Sequence, residues 1–241
     1  MSDFDNPADR LLQILRAGRQ RPDNEPCRKA WHNLLSTDGD EALLMSRLGK
    51  LMTLPGEIVS VYSRHYPDRQ GTWNHWFKQV NTAFVSQQLS AAWQSFISHI
   101  DEHTMTYLGM TADMIANRDF GKKLETSQLE SLRKDVSELL QEALQSDLDQ
   151  KTKSAIVRHL QRLLTALDEY SLTGALPILD AVEGSIGHTA FDENYATALR
   201  ETTIGQRFVT ILTTAANIVT IVVGLPQLPA GVHAATKLLG M

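Results

Sequence analysis

From residue 7 to residue 207, apolar positions recur at offsets of three and four, the repeat of one helix face. Alternation by two is missing, so strands are not expected. Asn6-Pro7 with Asp9 opens a segment carrying Leu11, Leu12, Ile14 and Leu15. Pro26 opens one with Trp31, Leu34 and Leu35, and Asp38 precedes one with Leu43, Leu44, Leu48 and Leu51. Pro55 is expected to open a further helix through Ile58, Val59 and Tyr62. Breaks rich in Gly, Pro, Asp or Asn fall at 18–25, 36–39, 53–56 and 67–72. Asp38-Gly39 is the one hairpin-turn dipeptide, and its flanks read helical.

Between 73 and 97, Trp73, Trp76, Phe77, Val80, Phe84, Leu89, Trp93, Phe96 and Ile97 form aromatic helix faces. A core layer is the expectation, with an aromatic groove for a partner helix or ligand as the alternative. Asp101 reads as the N-cap of a helix through Met105, Leu108 and Ala112.

The polar stretch Asn117–Thr126 marks the internal boundary. Ser127 and Glu130 then match a capping box. Leu129, Leu132, Val136 and Leu139 make one apolar seam, and Ile156, Leu160, Leu163 and Leu167 make a second across the turn at 146–150. The expectation is an antiparallel hairpin with coiled-coil-like seams, available for partner binding. Two shorter helices follow, one through Ile178, Leu179, Val182 and Ile186, the other opened by Asp192. The fold class read from this pattern is all-α: a multi-helix bundle with a coiled-coil-like hairpin and an uncharged C-terminal helix or hairpin. Its regions are 1–116, 117–207 and 208–241.

Charge distribution changes this picture at one end. Lys and Arg total 23 and Asp and Glu 28, yet only Lys237 lies beyond Arg207. From Phe208 to Thr236, 29 consecutive residues carry no Asp, Glu, Lys or Arg. Phe208–Leu225 approaches the length that spans hydrocarbon. Phe208, Ile211, Leu212, Ala215, Ile218, Val219 and Val222 follow helical spacing, with Val223 also apolar. Thr210, Thr213, Thr214, Asn217, Thr220 and Gly224 make a polar, uncharged stripe on the opposite side. Ala216, Thr220 and Gly224 repeat small residues every four positions, a spacing that lets membrane helices approach and hydrogen-bond. Pro226 and Pro229 would form the turn of a hairpin. A central core helix of a bundle is apolar on all sides too.

Candidate chemistry is sparse. The net charge of −5 gives no general pull on nucleic acid, so none is expected as a partner. One cysteine excludes a disulfide framework, and the acidic start MSDFDNPADR has no apolar leader, so a cytoplasmic location is expected. His99, Glu102 and His103 spell the inverted zincin string H-x-x-E-H, in which two imidazoles one helical turn apart share zinc. Glu138 or Glu142 would be the third ligand, and a helix start at Asp101 would spoil the spacing. Arg69 and His75 have a spacing similar to the Arg and His pair of HEPN-type helical ribonucleases, but Gly71 and Pro67-Asp68 read as a turn. No nucleotide-binding glycine loop or nucleophile elbow occurs, so no cofactor is expected.

Two functional readings remain open. In the first, a non-enzymatic helical protein stores its apolar C-terminus and anchors or inserts it at the inner face of a membrane. That form resembles pore-forming colicin domains in architecture, although their hairpins are longer and more uniformly apolar. It suits a bacterial toxin, immunity or phage-defence effector. In the second, the chain is a soluble adaptor or scaffold, with the C-terminal helix in its core or in a homo-oligomer interface. Asn217→Lys is expected to block membrane activity in the first and to unfold or dissociate the protein in the second.

Overall fold

The computed structural model describes residues 5–69, 71–116, 118 and 123–223. The fold is all-α: the described residues form twelve α-helices and no strand. The chain divides into two compact units, Met1–Phe120 and Gly121–Met241. Their boundary falls in the polar stretch Asn117–Thr126.

The first unit holds α1 (Pro7–Arg19), α2 (Cys27–Leu34), α3 (Glu41–His65), α4 (Asn74–Ser86), α5 (Gln94–Ile97) and α6 (Glu102–Ala116). Asn6 caps α1 by accepting from the Asp9 N–H at 2.9 Å, with Pro7 in the first turn. The expected break at 53–56 does not exist, because α3 runs for 25 residues through Pro55. Proline removes one internal hydrogen bond. Leu51, Leu54 and Ile58 on either side are buried, and holding both halves in one core outweighs that loss.

Four of the six aromatic residues of 73–97 lie in the core, and Trp73 and Phe77 are half-buried. Trp76, Phe84, Trp93 and Phe96 are buried beside Trp31, whose ring lies 4.9 Å from Trp93 and 4.8 Å from Phe96. The indoles of the three fully buried tryptophans find acceptors, whereas the buried Trp73 Nε1 has none among the described residues. Trp31 donates to Gln87 Oε1 at 2.6 Å and Trp93 to the Gly18 carbonyl at 2.9 Å. Trp76 donates to Thr111 Oγ1 at 3.2 Å. Around this cluster the Pro26 and Ala92 segments pair through Cys27 N–H to Ala91 O at 2.8 Å and Trp93 N–H to Glu25 O at 2.7 Å.

The second unit holds α7 (Thr126–Gln145), α8 (Gln150–Asp168), α9 (Tyr170–Thr173), α10 (Leu176–His188), α11 (Glu193–Glu201) and α12 (Thr203–Val223). The capping box at Ser127 and Glu130 is not made. Instead α7 opens at Thr126, and the Glu125 carbonyl accepts from the N–H groups of Gln128 and Leu129 at 3.0 and 3.1 Å. The helix starts one residue before Ser127, so Ser127 lies inside the first turn rather than at the N-cap. Asp149 and Asp192 cap α8 and α11 through their carboxylates.

α7 and α8 form a helical hairpin. Its seam residues Leu132, Val136, Leu139, Leu160, Leu163 and Leu167 are buried in one core, with Leu129 packed against them. That core continues without interruption into α10, α11 and α12.

Candidate functional site

The uncharged C-terminal run begins inside a longer helix. α12 starts at Thr203, five residues before Phe208, and includes Arg207. It packs on α7, α10 and α11. Residues 208–223, read from the sequence as a region apart, thus lie within the second unit. Phe208, Val209, Ile211, Leu212, Ala215, Ala216, Val219 and Val222 are buried. At about 1.5–3 kcal/mol for each fully buried large apolar side chain, this face is a main source of the unit's stability. The helix is rich in Val, Ile and Thr, poor helix formers in isolation, and tertiary burial decides its conformation.

The opposite face is uncharged but exposed at Thr210, Thr214 and Asn217, and half-exposed at Thr213 and Thr220. The threonines do not hold donors ready for a neighbouring helix. Thr210, Thr213, Thr214 and Thr220 donate to the carbonyls of Gln206, Val209, Thr210 and Ala216, at 3.0, 2.9, 3.0 and 2.7 Å. Each hydroxyl proton is spent within the helix, one turn back. The spacing of small residues splits as well: Ala216 is buried and Thr220 is half-exposed. Gly224, Pro226 and Pro229 lie outside the described residues, and Val223 is the last residue of α12.

Asn217 stands on the exposed face, so a lysine there would point outward. The expectation that Asn217→Lys unfolds a core helix is therefore corrected: the position that buries a charge is Ala216.

Two features that fasten α12 were not singled out in the sequence. Arg207 pairs with Glu142 of α7. Gly205 lies against α11 so closely that a Cβ would stand 2.0 Å from the Ala198 carbonyl oxygen. At the same junction the Thr202 hydroxyl donates to the Ala198 carbonyl at 2.8 Å and accepts from the Gly205 N–H at 3.0 Å. The signal for this turn was present in Thr202-Thr203-Ile204-Gly205, where a hydroxyl cap precedes a glycine.

The hairpin seam offers no free face, because its leucines and Val136 are committed to the core. What the hairpin exposes is charge, partly self-paired: Arg133 with Asp168 and Lys134 with Glu138.

The zincin string does not assemble. Asp101 caps α6 by accepting from the Thr104 N–H at 2.6 Å, so His99 lies in the turn before the helix and His103 within it. Burial raises the Asp101 carboxyl, but hydrogen bonds from Thr104 and His75 hold it down to about 2. Glu102 is bound to Arg19 at 2.6 Å, and Glu142 is engaged by Arg207. His103 faces the rings of His75 and Tyr107. No group of three or more His, Cys, Asp or Glu among the described residues can hold a metal ion.

Arg69 closes a short 3-10 turn, Pro67–Arg69, and His75 lies in the first turn of α4. His75 Nε2 is 3.1 Å from both carboxylate oxygens of Asp101, a hydrogen-bonded contact at a helix start, and no contact with Arg69 is found among the described residues.

No protein-family model, curated protein or solved structure matches the chain.

Proposed function

We propose that this protein is a non-enzymatic helical adaptor or scaffold whose second unit is organised around α12, and that it acts by presenting outer helix faces to a protein partner. The observation that supports this reading is the packing of α12. Its apolar side is buried against α7, α10 and α11 of its own unit. The docking face on this reading is the uncharged outer band of Thr210, Thr214 and Asn217, together with the mixed charges that the hairpin exposes.

A second reading keeps the segment from 208 onward as a membrane element of a toxin, immunity or defence effector at the inner membrane face. One observation favours it. The outer threonines satisfy their own hydroxyl protons, as threonines do in helices that lie in lipid. Against it, no helix among the described residues is long and apolar enough to cross a membrane.

A pair of lysine variants separates the two. On the scaffold reading, Ala216→Lys unfolds the second unit by burying an unpaired charge, and Asn217→Lys leaves it folded. The readouts are hydrogen exchange of α7–α11 and co-flotation with anionic lipid vesicles. Full protection in Ala216→Lys overturns the scaffold reading. So does flotation of the unaltered protein that Asn217→Lys abolishes.

A further inference from the structure

The second unit contains a layer of ionisable side chains that the reading above does not use. His159 of α8 is 2% exposed. Neither of its ring nitrogens has a hydrogen-bond partner among the described residues. Its ring stands 5.2 Å, centroid to centroid, from His188 at the end of α10, and 5.6 Å from Tyr195 in the first turn of α11. His188 and Tyr195 are 4.8 Å apart. Tyr195 is fully buried and its hydroxyl donates to the Ser185 carbonyl at 3.3 Å. Three helices meet at these rings, and two of them, α10 and α11, also pack on α12.

The charges around His159 offer a proton no partner. Arg158 and Arg162 lie beside it on α8, and His188 faces it from α10, whose Asp180 and Glu183 are exposed. α11 brings Tyr195, together with Asp192 at its cap. The Asp192 carboxylate binds Lys151 Nζ at 3.0 Å and the Tyr195 N–H at 3.1 Å, and it also interacts electrostatically with His188. α7 buries Leu132, Val136, Leu139, Leu140 and Ala143, and its Arg133, Lys134, Asp135, Glu138 and Glu142 stay exposed. α9 brings Tyr170, whose hydroxyl accepts from the Leu124 N–H.

We propose that the His159–His188–Tyr195 layer is an acid-sensitive latch: a proton taken up at His159 parts α8 from α10 and α11 and so loosens the hold of the second unit on α12. A buried imidazolium without a hydrogen-bonded counter-charge is costly, and the guanidinium groups of Arg158 and Arg162 raise that cost. Burial, then Arg158, His188 and Arg162, hold His159 down to about 4, against 6.5 for an ordinary imidazole. His159 is therefore neutral in the folded unit at pH 7. The open form takes up a proton as pH falls through 6.5, and the closed form takes it up only near 4. Opening is favoured across that window, about twentyfold between pH 7 and pH 5. The inference rests on α12 being a core helix and adds a trigger to that reading.

The test is hydrogen exchange of the full chain at pH 7 and pH 5, corrected for intrinsic exchange, on wild type and His159→Leu. The expected result is a roughly twentyfold rise in opening of α8, α10, α11 and α12 in wild type, and none in the variant. All four tryptophans lie in the first unit, so their emission serves as the control and stays constant. An equal rise in both proteins, or no rise in wild type, overturns the latch. If His159→Leu fails to fold at pH 7, imidazole titration of wild type by NMR decides. Protonation of His159 together with lost protection supports the latch, and protonation with protection intact overturns it. Absence of α12 protection in wild type at pH 7 would instead sink the core-helix reading, which keeps the two failures distinct.

Discussion

Gly205 meets the backbone of Ala198 at a distance that admits no side chain: a Cβ there would lie 2.0 Å from the Ala198 carbonyl oxygen and 2.5 Å from Leu199 Cα. Both atoms are main chain, so no rotamer change relieves the overlap. Gly205→Ala must push the start of α12 off α11. The expected cost is about 3 kcal/mol of second-unit stability, read by denaturant unfolding. Gly184, on the exposed side of α10, has nothing within 4 Å of its would-be Cβ. Gly184→Ala should stabilise the same unit by about 0.5–1 kcal/mol through helix propensity alone. Equal effects at the two sites would contradict the packing of α12 on α11.

In the first unit, Gln87 Oε1 accepts from the buried Trp31 indole. Gln87→Leu keeps the bulk and strands that donor. A loss of about 1–3 kcal/mol is expected, with shifted tryptophan emission and little change in the second unit. An unchanged unfolding midpoint would show that the indole has another acceptor.

The pH dependence of stability follows from His159. Its titration is depressed in the fold, so the stabilisation is complete above about 6.5 and is lost as pH falls toward 4. Between pH 7 and pH 5 the second unit should lose about 2 kcal/mol from this group. Thermal melts followed by far-UV circular dichroism should show this loss in wild type, and it should be missing in His159→Leu.

His99→Ala with His103→Ala should shift stability by less than about 0.5 kcal/mol. Zinc should leave the melting temperature of wild type where it was. A zinc-dependent rise that the double variant abolishes would restore the metal reading.

Legibility in the sequence followed how local the deciding interaction was. The Asn6 cap with Pro7, the Asp101 cap of α6 and the seams of α7 and α8 are set by neighbours within one or two turns. Their patterns show in the chain. Pro55 misled because burial of Leu51, Leu54 and Ile58 in one core overrides a local breaker. Ser127 and Glu130 misled because α7 begins at Thr126, which leaves Ser127 inside the first turn instead of at the cap. The missing charge after Arg207 showed that this segment was exceptional, but not whether lipid or protein covers it. That depends on α7, α10 and α11, which lie up to 97 positions away at Thr126. His159 was legible and missed: it falls on the same stripe as Ile156 and Leu163, an ionisable residue at a core position.

The most direct test compares the full chain with one ending at Arg207, following amide protection of α7, α8 and α10 and, in parallel, the tryptophan emission of the first unit. With α12 as the core of the second unit, the shortened chain loses protection throughout 126–201 while the tryptophans report an intact first unit. Full protection of 126–201 in the shortened chain, with the complete chain recovered only in detergent extracts, would contradict this and assign the segment to a membrane.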